Sequence, residues 1–125
     1  MISNDAGPTP FDAKGNKMAE EVKSVAILEA LPGKEEDLVM MLGELYSMMN
    51  RKGYCRDWLY RDSDRLDRLV HFRKWKSAEM RSEAQIDPDV HRYWQRLPSL
   101  CTIPTVYENL ETLFESERTP SPSNS

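Results

Sequence analysis

The apolar positions of this chain fall into segments of different period, and their order carries most of the information. Val25, Ala26, Ile27 and Leu28 are apolar without alternation inside the stretch 22–31. This predicts a strand with both faces covered, ended by Pro32. Leu38, Met41, Leu42, Leu45, Met48 and Met49 then recur at helical spacing. Glu35, Glu36 and Asp37 suit the start of that helix, Arg51 and Lys52 suit its end, and Gly53 suits the position just past it.

Residues 54–61 place Trp58 and Tyr60 on one strand face, and the polar stretch 62–67 reads as the turn of a hairpin. On the returning strand Leu69, His71, Arg73 and Trp75 point to one side and Val70 and Phe72 to the other. Ser77 can cap a helix running to about Ile86, and Asp87-Pro88 resets the chain for a short helix striped by Val90, Tyr93, Trp94 and Leu97. Pro98 and Pro104 are expected to bracket a loop before a final β segment at 105–110. Strand, helix, strand, strand, helix, strand describes an α+β sandwich. Its helices cover one sheet face, so the other face needs a partner, and the expected partner is a second copy in a homodimer.

Composition narrows the function. With 125 residues, 39% of them hydrophobic, the chain makes one domain. Its 17 basic and 21 acidic residues give a net charge of −4 and are spread along the chain, so neither nucleic acid nor a membrane surface is an expected partner. No apolar run approaches the roughly 20 residues that span a bilayer, and residues near Met1 lack a signal peptide's apolar core, so a cytoplasmic location is expected. Residues 1–20 read as a flexible arm, 21–114 as the folded domain and 115–125, rich in Pro and Ser, as a disordered tail. Cys55 and Cys101 are far apart and read as buried thiols, a reactive thiol being the alternative if a base lies nearby. No metal constellation, phosphate-cradling loop or nucleotide fingerprint is visible, so no cofactor is expected.

The candidate chemistry lies on the second hairpin strand and the short helix. His71, Arg73 and Trp75 share one strand face, which aligns an imidazole, a cation and an indole. That face looks either into a pocket or at the dimer partner. If it looks into a pocket, His71 can take a proton from a phenol or enol, Arg73 can meet the developing oxyanion, and Trp75 can stack on a flat substrate or simply anchor the strand end. His91, Tyr93 and Trp94 would lie over the pocket mouth, His91 as a second candidate base and Tyr93 as a donor to a quinone or phenol oxygen. Trp58 and Tyr60 either line the same cavity or fill it.

The run Leu31-Pro32-Gly33-Lys34-Glu35-Glu36-Asp37-Leu38, Gly53 opening a strand, Trp75-Lys76-Ser77 leading into a helix, and then Pro88, together resemble the antibiotic biosynthesis monooxygenase family of dimeric α+β barrels over residues 22–113. The resemblance implies a ferredoxin-like βαββαβ protomer whose sheet packs on a second protomer's sheet. The family includes cofactor-independent oxygenases of aromatic polyketides, haem-degrading enzymes and quinol-handling proteins, so membership leaves the reaction open. The chain departs from the family pattern at Arg73, where an acidic residue is common, and in having no His within 80–85. Counting on from Trp75 to the position of a haem-ligating His reaches Trp94, three residues from His91. The expected function is therefore a cofactor-independent monooxygenase, or a related small-molecule pathway enzyme, acting on an aromatic or quinol-type substrate. A non-catalytic binding or regulatory dimer is the alternative, and a haem-degrading enzyme a third.

Overall fold

Pro32 and Gly33 turn the chain out of its first strand, Gly33 with φ of +75°, and the acidic residues behind them open the long helix. The computed structural model describes residues 22–116. The elements are β1 (Val22–Ala30), α1 (Glu35–Arg51), β2 (Cys55–Arg61), β3 (Arg68–Trp75), α2 (Ala78–Gln85), α3 (Pro88–Trp94), a 3₁₀ turn at Leu97–Ser99 and β4 (Cys101–Leu110). The sheet is antiparallel in the order β2-β3-β1-β4, a ferredoxin-like α+β fold with one additional short helix. The expected arm at 1–20 and most of the expected tail at 115–125 lie outside the described residues.

The expected helix stripe forms the core. Leu38, Met41, Leu42, Leu45, Met48 and Met49 are all buried, and they meet Leu28, Leu69, Trp75 and Cys101 from the sheet. Gly53, with φ of +80°, closes α1 by donating to Asn50 O at 3.0 Å, while Tyr54 N donates to Met49 O at 3.0 Å. These are the paired bonds of a Schellman cap. Ser77 and Asp87 cap α2 and α3 as expected, accepting from Met80 N and Asp89 N. Asp87 also accepts from Tyr54 Oη at 2.6 Å and Lys52 Nζ at 2.8 Å, which ties the start of α3 to the end of α1.

One expectation is corrected. The final strand begins at Cys101 and runs through Pro104. A proline is tolerated there because β4 is an edge strand. It also falls where three β4 steps, Thr102 to Thr105, oppose two β1 steps, Glu29 to Ile27, which is a bulge. Within the described chain the helices cover one face of β1. Leu28 and Ala30 are buried beneath the helices, whereas Val25 and Ile27 are only half-buried on the opposite, helix-free face. Among the described residues, no helix is long and apolar enough to cross a membrane.

Candidate functional site

Strand pairing decides which residues meet. Across the sheet Asp57 lies opposite Arg73, Leu59 opposite His71, and Cys55 opposite Trp75, and β1 adds Ser24, Ala26 and Val22 to the same rows. Alternation places all of these on the helix side. A cavity of about 350 Å³ lies between this face and the helices, near the lower end of the roughly 300–1,000 Å³ typical of small-molecule sites. His71, Arg73 and Trp75 line its floor, and Tyr46 and Leu45 of α1 line one wall. Arg81, Gln85 and Trp94 close the side formed by α2 and α3.

The polar centre is Asp57, whose side chain is 1% exposed. Its Oδ1 lies 2.6 Å from His71 Nε2 and accepts from Arg73 Nε at 2.6 Å. Burial opposes ionisation of Asp57, but the His71 hydrogen bond and the charge of Arg73 outweigh it and hold the carboxyl below its usual range. For His71 burial dominates, Arg73 adds to it, and together they overcome the pull of Asp57, so the imidazole value is lowered and the ring is neutral at neutral pH. An ionised carboxylate can only accept. His71 therefore carries its proton on Nε2, leaving Nδ1 as a lone-pair base with no hydrogen bond among the described residues.

Tyr46 stacks on His71 with centroids 4.7 Å apart and planes at 13°. Arg73 lies 4.8 Å from the Trp75 ring centroid and 5.8 Å from that of Tyr46, and its Nη2 donates to Met49 Sδ at 3.4 Å. The guanidinium is thus desolvated against aromatic faces and thioether, with Asp57 as its counter-ion. Cys55 donates to Asp57 Oδ2 at 3.4 Å, and burial, against the charge of Arg73, pushes its thiol up to about 12. That thiol is held protonated, and Cys101 is shifted in the same direction by burial. Among the described residues, no group of three or more His, Cys, Asp or Glu is placed to hold a metal ion.

The structure brings four of the expected site residues into the cavity: His71, Arg73, Trp75 and Trp94. The other four lie elsewhere. His91 is exposed on a shallow cleft with Pro88 and Gln95, its Nε2 against the Gln85 carbonyl, and its ring 5.6 Å from that of Trp94. Tyr93 packs half-buried against the core, with its hydroxyl 3.5 Å from Glu44 Oε1 rather than in the cavity. Trp58 and Tyr60 neither line nor fill the cavity, because the pleat turns them to the helix-free face, where Trp58 meets Phe72 at 5.3 Å. Asp57 and Tyr46 were not singled out from the sequence. Asp57 was visible as a lone carboxylate between Cys55 and Leu59 on the inward phase of β2, and Tyr46 follows Leu42 and precedes Met49 on the helical stripe.

No family model and no curated protein matches the sequence. Solved structures do match its shape. SnoaB, a cofactor-independent oxygenase from Streptomyces nogalater, aligns with a TM-score of 0.64 and 21% identity over 78% of this chain and 100% of its own. PA3566 from Pseudomonas aeruginosa aligns with a TM-score of 0.66 and 19% identity over 79% of this chain and 100% of its own. A candidate antibiotic biosynthesis monooxygenase from Chloroflexus aurantiacus aligns with a TM-score of 0.65 and 18% identity over 78% of this chain and 98% of its own. At these identities the likeness is one of architecture, and the chain has the ferredoxin-like α+β fold of SnoaB and of the candidate antibiotic biosynthesis monooxygenase.

Proposed function

We propose that the sheet–helix cavity is the active site of a cofactor-independent monooxygenase acting on an aromatic or quinol-type small molecule. The observation that carries this reading is the 2.6 Å contact by which Asp57, behind the floor of a largely apolar cavity, holds His71, which leaves a neutral imidazole beside the Arg73 cation. His71 Nδ1 removes a proton from an activated ring carbon or hydroxyl, and Asp57 stabilises the imidazolium that forms. Arg73 faces the negative charge left on the substrate oxygen, and Trp75 and Trp94 hold the ring plane. The likeness to SnoaB supports dioxygen as the second substrate.

For a ring methylene the balance is complete without a further reductant. The deprotonated carbon passes electrons to dioxygen and a C–O bond forms. The O–O bond then breaks as the second C–H proton leaves, so that one oxygen remains as a carbonyl and the other departs as water. Oxygen uptake with a panel of anthrones, which carry such a methylene, tests this. Consumption of one dioxygen per carbonyl formed, lost in His71→Ala, is the expected result, and absence of uptake with ligands that demonstrably bind would leave only the binding-protein reading.

The functional unit in this proposal is a homodimer. On the helix-free face Trp58, Phe72, Val25 and Tyr107 form one row across all four strands, and Tyr60, Val70, Ile27 and Thr105 form the next. Tyr60 is 55% and Tyr107 57% exposed. Two rows across a whole sheet, apolar or aromatic at every position but Thr105, match the inner face of a sandwich, in which a second sheet packs about 10 Å away.

A further inference from the structure

Within the cavity one side-chain oxygen is fully buried and makes no hydrogen bond among the described residues. It is the Tyr46 hydroxyl, whose ring is fixed by the stack on His71. A buried donor left without an acceptor is costly, and native proteins rarely retain one without a reason. Arg73, beside it, also has hydrogen-bonding capacity to spare. Its Nε goes to Asp57 and one Nη2 hydrogen to the weak acceptor Met49 Sδ, while Nη1 has no hydrogen bond among the described residues. The cavity floor at this point therefore offers donors. Away from it the lining is mostly aliphatic, from Leu42, Leu45, Leu97, Ile103 and Val106, with Arg81, Gln85 and Glu108 as polar exceptions.

We infer that Tyr46 is a ligand-binding residue whose hydroxyl donates to an oxygen acceptor of the bound molecule, and that the cavity selects planar, mostly apolar ligands with a carbonyl, enolate or phenolate oxygen at the Arg73 end over hydrocarbons and amines of the same shape. This deepens the oxygenase reading, because the recognised oxygen would be the one on which charge develops when His71 takes the proton. It does not require turnover. Burial also holds the Tyr46 proton on its oxygen far above neutral pH, against the charge of Arg73, so the phenol acts as a donor and not as a second base. An ammonium group placed at this end would face the Arg73 guanidinium cation at close range, and the Asp57 carboxylate is not open to it, its side chain being 1% exposed and its Oδ1 shared by His71 and Arg73.

The discriminating ligands are bicyclic molecules matched in shape and inert to oxygenation: 1-tetralone with a carbonyl, tetralin without one, and 1-aminotetralin with an ammonium. Isothermal titration of the full chain with each should show 1-tetralone binding at least about tenfold more tightly than tetralin or 1-aminotetralin, as expected for a hydrogen bond to an otherwise unpaired buried donor. Tyr46→Phe keeps the ring and its stack, and should reduce 1-tetralone affinity about tenfold while leaving tetralin unchanged. The ligand-free variant should melt at or above the wild-type temperature, since only an unpaired hydroxyl has been removed.

Three outcomes would overturn the inference: wild-type protein that binds tetralin or 1-aminotetralin as tightly as 1-tetralone, or binds none of the three; Tyr46→Phe that binds 1-tetralone like wild type; or Tyr46→Phe that melts clearly below wild type, which would mean the hydroxyl already has a structural partner. Oxygen uptake is a separate readout. Selective 1-tetralone binding, together with no oxygen uptake on anthrones that demonstrably bind, would sink the oxygenase reading and keep this one.

Discussion

Asp57 and His71 are 14 residues apart in sequence and 2.6 Å apart in space, joined across the β2–β3 hairpin on its helix side. Because the carboxylate is ionised and almost fully enclosed, it fixes which imidazole nitrogen is free, and the stack on Tyr46 fixes the plane in which that nitrogen lies. Loss of the imidazole should therefore be felt in chemistry before it is felt in folding. His71→Ala is expected to lower turnover about 10²- to 10⁴-fold, whereas His91→Ala, at an exposed position outside the cavity, should leave kcat near wild type. Steady-state oxygen consumption by folded variants measures both, and equal rates for His71→Ala and wild type would remove the imidazole from the mechanism.

Asp57→Asn keeps the shape of the side chain and takes away its charge. Arg73, 7% exposed, would then be a buried cation without its counter-ion, a change that typically destabilises by about 3–5 kcal/mol. The His71 tautomer would also lose its constraint. Urea denaturation should show a clearly lower midpoint, and an unchanged one would mean that the ion pair contributes little to the fold.

Acid should weaken the protein in two steps of the same sign. His71 has a folded value below its ordinary 6.5, so the unfolded chain takes up a proton first and stability falls as pH drops through that range. Asp57 has a folded value below its ordinary 3.8, so its favourable contribution is present above that pH and is lost as pH falls through the lower folded value. The same shift of His71 should place the acid limb of kcat/KM below 6.5. Denaturation midpoints that rose on acidification from neutral pH would contradict the assignment of a buried neutral imidazole.

Phe72 lies at the middle of the helix-free face, in contact with Trp58 and paired with Val25. Phe72→Lys should convert the proposed dimer to monomer without disturbing the cavity, because its neighbours in sequence, His71 and Arg73, point the other way. Light scattering together with circular dichroism checks this, and a wild type already monomeric at micromolar concentration would dispose of the dimer altogether.

Asp87→Ala removes the N-cap of α3 and the acceptor for Tyr54 and Lys52 at once. Loss of such a cap costs about 0.5–2 kcal/mol, and a thermal midpoint indistinguishable from wild type would show that the tie between α1 and α3 is idle.

Much of the fold was legible because periodicity survives translation into structure. The Leu38-to-Met49 stripe, the Ser77 and Asp87 caps and the alternation on β3 all appear where their spacing puts them. β4 was shortened in the reading because Pro104 looks like a breaker, and only the sheet order reveals that it sits on an edge. The apolar run of β1 could not show which of its faces the helices take. In the site, His71, Arg73 and Trp75 were found by their shared phase, whereas Asp57 was obscured by the adjacent Trp58, whose size draws attention to the wrong face of the same strand. The partnership of Asp57 with His71 and Arg73 depends on hairpin register, which a single strand's sequence does not contain.

The bulge at Pro104 bears on how the molecule avoids misassembly. β4 is exposed at the border of the sheet and carries Val106 and Tyr107, 47% and 57% accessible, on its two faces. A straight strand of that composition would be a template for fibril growth. Pro104 supplies no N–H, and register breaks at Lys23/Val25 and at Ile27/Glu29 bend the ladder, so an incoming chain would find an interrupted set of hydrogen-bonding groups. Strand-by-strand polymerisation along this border is thereby disfavoured even though the side chains there would permit it.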